Sequence, residues 1–240
     1  VRSDLRDSHA TSLRRAQFVR LAPALCLVAL AGCGKPSYSP LDAQLSWRYA
    51  VTVEPRDRSG AVTWARRGAS TMRNLAARDL GGRKVTPQSI EVGGQFATIF
   101  RAEDKDGLRV VATQTSDDKE PQLKDGQFDL RYPLLVGRTW DDTSETMFLK
   151  ERVELDGDSK IEALDDTITV PAGTYRGCVR VRFTSRTYSE LPARLGFGPV
   201  TIESVRWFAP NVGMVKYRHD ERSGAGSGTF TAELQSFKLL

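Results

Sequence analysis

One histidine in the body of this 240-residue sequence stands where it could do chemistry. It is His219 in "KYRHDERSGAGSG", beside Asp220 and Glu221. A histidine base needs a nucleophile held against the imidazole and a third group that orients it. The chain has no Gly-x-Ser-x-Gly elbow to supply one. His219 therefore reads as a solvated loop residue among charges. "GAGSG", Gly224–Gly228, has the composition of a phosphate cradle, but no Lys-Ser/Thr follows it and no helix begins behind it. It reads as a flexible hairpin loop. The acidic run "DGDSKIEALDD" offers Asp156, Asp158, Asp165 and Asp166, without the spaced oxygens and distal glutamate of a calcium loop. Asp156-Gly157 reads as a hairpin turn, and "SDDKEPQLKDG" as a solvated loop. Glycoside hydrolysis by dispersed carboxylates depends on their separation in space, and the pattern singles out no pair. The expectation is a protein that is not an enzyme, with no catalytic residue, no metal site and no cofactor.

The cysteines narrow the chemistry further. The chain has Cys26, Cys33 and Cys178. The first two belong to an N-terminal segment discussed below, so Cys178 remains alone. One thiol makes neither an internal disulfide nor a cysteine zinc site, and Cys178 reads as a small packed residue in a strand. The tryptophans carry a softer signal. Trp47, Trp64, Trp140 and Trp207 are spread along the chain. Packing alone would account for them, but Trp47, Trp140 and Trp207 are also candidates to line an apolar pocket beside a few polar groups.

The first 33 residues are not part of the fold. Arg14, Arg15 and Arg20 precede a ten-residue apolar run, Leu21–Leu30, and then "LAGC", Leu30–Cys33. Basic, apolar and small segments in that order make a secretory signal. Ten apolar residues are too few to span a bilayer, which takes about 20 in a helix. The segment resembles a bacterial lipoprotein signal, with "LAGC" matching the lipobox. That resemblance implies cleavage of residues 1–32, acylation of Cys33 and attachment to a membrane by that lipid, palmitate being one such chain. Buried methylenes contribute about 0.8 kcal/mol each, so two or more acyl chains hold firmly. Gly34, not an acidic residue, follows Cys33. Among lipoproteins that implies the outer membrane, with the domain facing the periplasm. Cleavage would also take five Arg and two Asp from the chain's 35 basic and 30 acidic side chains, leaving 30 and 28. A net charge of that size argues against a nucleic-acid partner, which needs a clustered basic face.

The elements that would position any site read as β. "GKPSYSP" (34–40) is a polar, proline-containing tether, so residues 33–40 are expected to be a lipidated tether and 41–240 a single β domain. Leu45, Trp47, Tyr49, Val51 and Val53 alternate with polar residues, the mark of a half-buried strand. Turn pairs recur at Gly81-Gly82, Gly93-Gly94, Asp106-Gly107, Asp125-Gly126 and Asp156-Gly157. Ser70–Leu80 fits either a capped helix or a strand, and its β neighbours favour the strand. Val179, Val181 and Phe183 alternate against Arg180 and Arg182, and "PVTIESVRWF" changes phase in a way that predicts a bulge near Glu203. Phe230, Ala232 and Leu234 lie in a last strand that should close the sheet. The fold class is all-β: an antiparallel meander curled into a half-barrel or barrel.

"RWFAPNVGMVKY", Arg206–Tyr217, breaks at Pro210, Asn211 and Gly213, residue types that make a corner and need no catalytic role. "YPLLVGRTW", "ITVPAGTYRGCVRV" and "WFAPNVGMVKY", in that order, resemble a family of bacterial envelope proteins of unassigned function. Its members carry Tyr-Pro-Leu…Gly…Trp, Val-Pro-Ala-Gly-Thr-aromatic and Trp-Tyr-Ala-Pro-Gly-Val-Gly-Leu-Val-Lys segments. The likeness covers about Tyr132 to Leu240, with Phe208, Asn211 and Met214 departing from it. It implies a fold similar to the half-barrels of lipoprotein carriers and their outer-membrane receptors, and it supplies no active-site residues. The expected function is a non-catalytic envelope lipoprotein that binds a hydrophobic ligand or an envelope protein. The alternative is a structural or assembly lipoprotein with a filled core.

Overall fold

A computed structural model of the chain describes residues 36–42, 44–124, 127–149, 152–186, 198–224 and 226–239. Cys26, Cys33, the apolar run before it and Asp125-Gly126 lie outside those residues. Pro36–Leu240 forms one compact unit. Its first wing holds β1 (Leu45–Arg56), β2 (Arg66–Asn74), β3 (Arg78–Leu80), β4 (Arg83–Val92), β5 (Gln95–Asp104), β6 (Gly107–Thr115), β7 (Gln122–Leu123) and β8 (Phe128–Arg131). The second holds β9 (Thr139–Glu145), β10 (Glu154–Val170), β11 (Gly173–Ser185), β12 (Thr201–Ala209), β13 (Gly213–Ser223) and β14 (Gly226–Leu239). No helix among the described residues is long and apolar enough to cross a membrane.

These strands make one antiparallel sheet of fourteen strands, in the order β7-β6-β5-β4-β2-β1-β14-β13-β12-β11-β10-β9, with β3 on β4 and β8 on β6. The two wings are sewn together where the first and last strands pair, Leu45 opposite Leu239 and Arg56 opposite Ser227. The sheet is neither closed nor strongly curled, so the expected half-barrel or barrel does not form. In a simple meander, β1 pairing β14 would complete one; here the gap falls in the middle of the sequence, between β7/β8 and β9. The residues there explain it. β7 is two residues long, and β9 carries Asp141, Asp142 and Glu145. Short edges and charges both discourage further pairing.

The wings nevertheless meet through side chains. Leu108, Phe128 and Leu130 from β6 and β8 pack with Trp140, Ile161, Val179, Val181 and Phe208 from β9 to β12. A second cluster gathers Trp47, Tyr49, Val51, Met72 and Leu234 around the β1·β14 join. Each large apolar side chain so buried contributes about 1.5–3 kcal/mol.

Ser70–Leu80 is strand, split between β2 and β3, because Met72 has partners on both sides, Trp47 and Ile90. Gly93 and Gly94 have φ of 60° and 82° and turn β4 into β5 as a tight hairpin demands. Asp156-Gly157 is not a turn. It lies inside β10, with Gly157 opposite Asp142 on one side and Ser185 on the other. A Cβ there would sit 2.5 Å from the Phe183 ring, so the glycine serves close packing. No bulge occurs at Glu203, where the β12·β13 register is regular; it shifts between Trp207 and Phe208. Val205 looked out of phase because it is buried on the opposite side of β12, in a groove lined by Arg180, Arg182 and Arg218.

Candidate functional site

An open cleft of about 410 Å³ lies between the wings. Its walls come from both: Met72, Ile90 and Ile99 from one, Phe183, Met214 and Tyr217 from the other, with Met147 at the β9–β10 connection. The chain has three methionines, and all three line this cleft. They do not converge on a point. The Met147 amide donates to Glu221 Oε2 at 2.6 Å, and Glu221 is seven residues from Met214 along β13. At a strand rise of about 3.3 Å per residue, that separates the two by roughly 20 Å. The cleft is therefore long, with unbranched, polarizable side chains distributed along it. Such side chains adapt to the shape of an apolar ligand.

Its base is charged but internally neutral. Arg101 Nε donates to Asp129 Oδ2 at 2.7 Å, and Arg206 Nη1 to Asp129 Oδ1 at 2.9 Å. Arg206 Nη2 reaches Asp142 Oδ2 at 3.2 Å, and Ser159 Oγ donates to the same oxygen at 2.6 Å. Burial alone would push the Asp129 carboxyl up, but the Arg101 and Arg206 guanidiniums outweigh it and hold it below the usual carboxylate range. Burial would likewise lower Arg206, and Asp142 and Asp129 raise it instead. Two arginines against two aspartates leave no net charge with which to attract an ion.

Behind the cleft wall is a second polar group. His219 is fully buried on β13, its Nδ1 3.2 Å from the Tyr217 hydroxyl and its Nε2 3.5 Å from Glu221 Oε2. The expected solvated loop is thus a strand. Tyr217, His219 and Glu221 occupy one phase, and exposed Arg218 and Arg222 the other. Every residue from Lys216 to Arg222 is polar or aromatic, so hydropathy could not show which phase turns inward. Glu221 Oε2 accepts from both the Met147 and Phe148 amides, at 2.6 and 3.2 Å. This carboxylate latches the cleft's edge. Burial raises the Tyr217 phenol, which makes it a poor nucleophile. Of "GAGSG", Gly224 stands at the hairpin turn between β13 and β14, but the later glycines are already strand. Gly226 and Gly228 are in β14, and a Cβ on Gly228 would strike the Phe148 ring at 2.3 Å.

The three candidate tryptophans are not brought together. Trp47 is buried, its indole donating to the Val212 carbonyl at 2.6 Å, and its ring centroid lies 5.4 Å from that of Phe237. Trp140 is buried in the cluster that joins the wings. Trp207 lies in the outer groove, bonded to Asp166 at 3.1 Å with the Lys216 ammonium 5.9 Å from its ring. Cys178 is buried, and burial pushes its thiol up to about 11. Among the described residues no three of His, Cys, Asp and Glu gather as metal ligands do.

The corner of Pro210, Asn211 and Gly213 does turn β12 into β13, with φ of 61° at Asn211 and 94° at Gly213. It also receives the N-terminal segment. The Asn211 amide donates to the Ser37 carbonyl at 2.6 Å, and Asn211 Oδ1 accepts from the Ser37 amide at 3.2 Å. Tyr38 and Leu41 pack on the cluster between the wings. Asn74 Nδ2 donates to the Pro40 and Asp42 carbonyls at 3.0 and 2.6 Å, and Thr86 Oγ1 to that of Leu41 at 3.1 Å. Residues 36–40, read as tether, are held to the sheet as a strap.

No protein-family model and no curated protein matches the chain. Two solved structures are distantly similar to it. One, provisionally described as an exported protein with a YmcC-like fold, comes from Bacteroides fragilis; it is 13% identical over 85% of this chain and all of its own, at a TM-score of 0.37. The other, provisionally described as a lipoprotein, comes from Parabacteroides distasonis; it is 11% identical over 85% of this chain and 99% of its own, at a TM-score of 0.35. Likeness at that level bears on neither activity nor ligand.

Proposed function

We propose that this protein is a non-catalytic cell-envelope lipoprotein, acylated at Cys33, that holds an apolar chain in the cleft between the two wings of its open sheet. The envelope part of the reading rests on the basic–apolar–"LAGC" order of the leader. The ligand part rests on one observation above the others: all three methionines of the chain line one elongated cleft between the wings. The volume lies within the range of small-molecule sites. The neutral Arg101–Asp129–Arg206–Asp142 base favours a ligand with an uncharged or hydrogen-bonding end. Outer-membrane attachment facing the periplasm is the companion reading, carried by Gly34.

Binding of a fluorescent C16 fatty-acyl probe tests the cleft. Met214→Lys places an ammonium on its wall and is expected to weaken binding at least tenfold. Arg182→Ala, on the outer face, is expected to leave it unchanged. A probe that fails to bind, or binds both variants alike, removes the ligand reading. Cys33→Ser tests the anchor separately: the protein is expected to leave the membrane fraction.

The filled-core alternative, a structural or assembly lipoprotein, draws support from the packed cluster between the wings and from the burial of Trp47 and Trp140. It becomes the better reading if no apolar probe binds and cross-linking in intact cells captures a recurrent envelope protein.

A further inference from the structure

The strap and the cleft share one chain of hydrogen bonds. Asn74, which holds the Pro40 and Asp42 carbonyls, accepts at its Oδ1 from Gln88 Nε2 at 2.7 Å. Gln88 Oε1 in turn accepts from Arg101 Nη1. Arg101 continues through Asp129 to Arg206 and the second wing. Asn74 and Gln88 are both buried, so neither has water as a ready substitute partner. A buried amide that loses its bond leaves a donor or acceptor unsatisfied, and its neighbours must rearrange. Gln88 orients Asn74, Arg101 orients Gln88, and Arg101 is part of the cleft's base.

We propose that the seat of residues 36–42 is set by the cleft's base, so that a ligand group that draws Arg101 toward itself loosens the strap. Arg101 cannot turn toward the cleft and keep its bond to Gln88. Once Gln88 is released, the Asn74 amide is free to rotate, and the two carbonyls it holds lose their donor. The strap then rests on Asn211, Thr86, the Tyr38 hydroxyl on the Gly177 carbonyl and the packing of Tyr38 and Leu41, and those contacts open more often without Asn74. Linkage makes the effect reciprocal: freeing the strap alters the cleft's affinity by the same factor. The segment that joins the acylated Cys33 to the domain thereby reports whether the cleft is filled. This coupling rests on the ligand reading only for its use. The wiring itself is testable with no ligand present, so it stands or fails apart from that reading.

Hydrogen exchange of the full chain, followed by mass spectrometry, reads the strap through the amides of Ser37 and Asn211. Asn74→Ala removes the direct contact and is expected to speed exchange there at least tenfold. Gln88→Leu and Asp129→Asn, whose side chains make no hydrogen bond to the strap, are expected to do the same, while the amides of β10 and β11 keep their wild-type rates. Unchanged strap exchange in Gln88→Leu and Asp129→Asn overturns the proposal, whatever Asn74→Ala does. Should a variant speed exchange everywhere, thermal unfolding of Asn74→Ala, Asp129→Asn and their double decides. Losses that add independently overturn the coupling; a double variant that loses clearly less than the sum supports it.

Discussion

The same pairing chemistry appears twice in this molecule, once between the wings and once on the outer face, under opposite solvation. Inside, Arg206 and Asp129 meet at 2.9 Å with side chains 16% and 8% exposed. Outside, Glu162, Arg180, Arg182 and Glu203 form a ladder across β10, β11 and β12, with Arg182 Nε 2.7 Å from Glu162 at 35% and 23% exposure. Geometry barely separates the two pairs, but water does. An exposed pair loses little when broken because solvent takes the place of the partner. A buried pair leaves a charge with nothing to replace it.

Asp129→Asn is the strongest way to break that contrast. It strips the counter-charge from Arg101 and Arg206 together, and loss of one partner of a buried pair costs about 3–5 kcal/mol. For a domain of this size that lowers the thermal midpoint by about 10 °C. A shift no larger than that of an outer-ladder variant would mean that water reaches the base, and the distinction between the two regions would collapse.

Acid sharpens the comparison next. The folded Asp129 carboxyl sits below its unfolded value of about 3.9. Its contribution is therefore present above about pH 4 and lost as pH falls through the folded value. Urea unfolding against pH is expected to show stability dropping below pH 4 in the wild type and dropping less steeply in Asp129→Asn. Some slope should remain, because Arg182 and Arg218 hold the outer Glu162 and Asp220 down in the same direction. Identical slopes would show that the buried carboxylate does not govern the acid limb.

The alternating strands were legible because one face of each is apolar: β1 and β14 appear in the sequence nearly as they stand in the fold. The glycine pairs at the β3–β4 and β4–β5 turns were legible for the same local reason. What escaped reading is the buried polar material. Arg206 lies in the inward phase of β12 with Ile202, Ser204 and Phe208, and a hydropathy pattern scores an inward arginine as a phase error. Val205, buried on the opposite side of the same strand, adds the phase change that reads as a bulge at Glu203. His219 and Glu221 are hidden likewise, and Gly157 reads as a turn because the Phe183 ring that needs its space arrives from a different strand. The place where the sheet stays open could not be read locally either, since it depends on which strands meet. The count of three methionines was visible from the start; that they share one cleft required the pairing of both wings.

The smallest expected effect belongs to the outer ladder. Arg182→Ala removes one rung, shared between Glu162 and Glu203. Exposed pairs are worth about 0–1 kcal/mol, so the thermal midpoint should move by about 2 °C or less. Salt separates this loss from that of Asp129→Asn. In 1 M NaCl the screening length falls to about 3 Å, and the difference between Arg182→Ala and wild type should shrink toward zero. The Asp129→Asn difference should persist, because the side chains of the inner pairs are only 3–16% exposed and salt screens buried pairs much less than exposed ones. If salt erased both differences equally, the inner pairs would be as wet as the outer ones, and Arg101 could not serve as a dry link between cleft and strap.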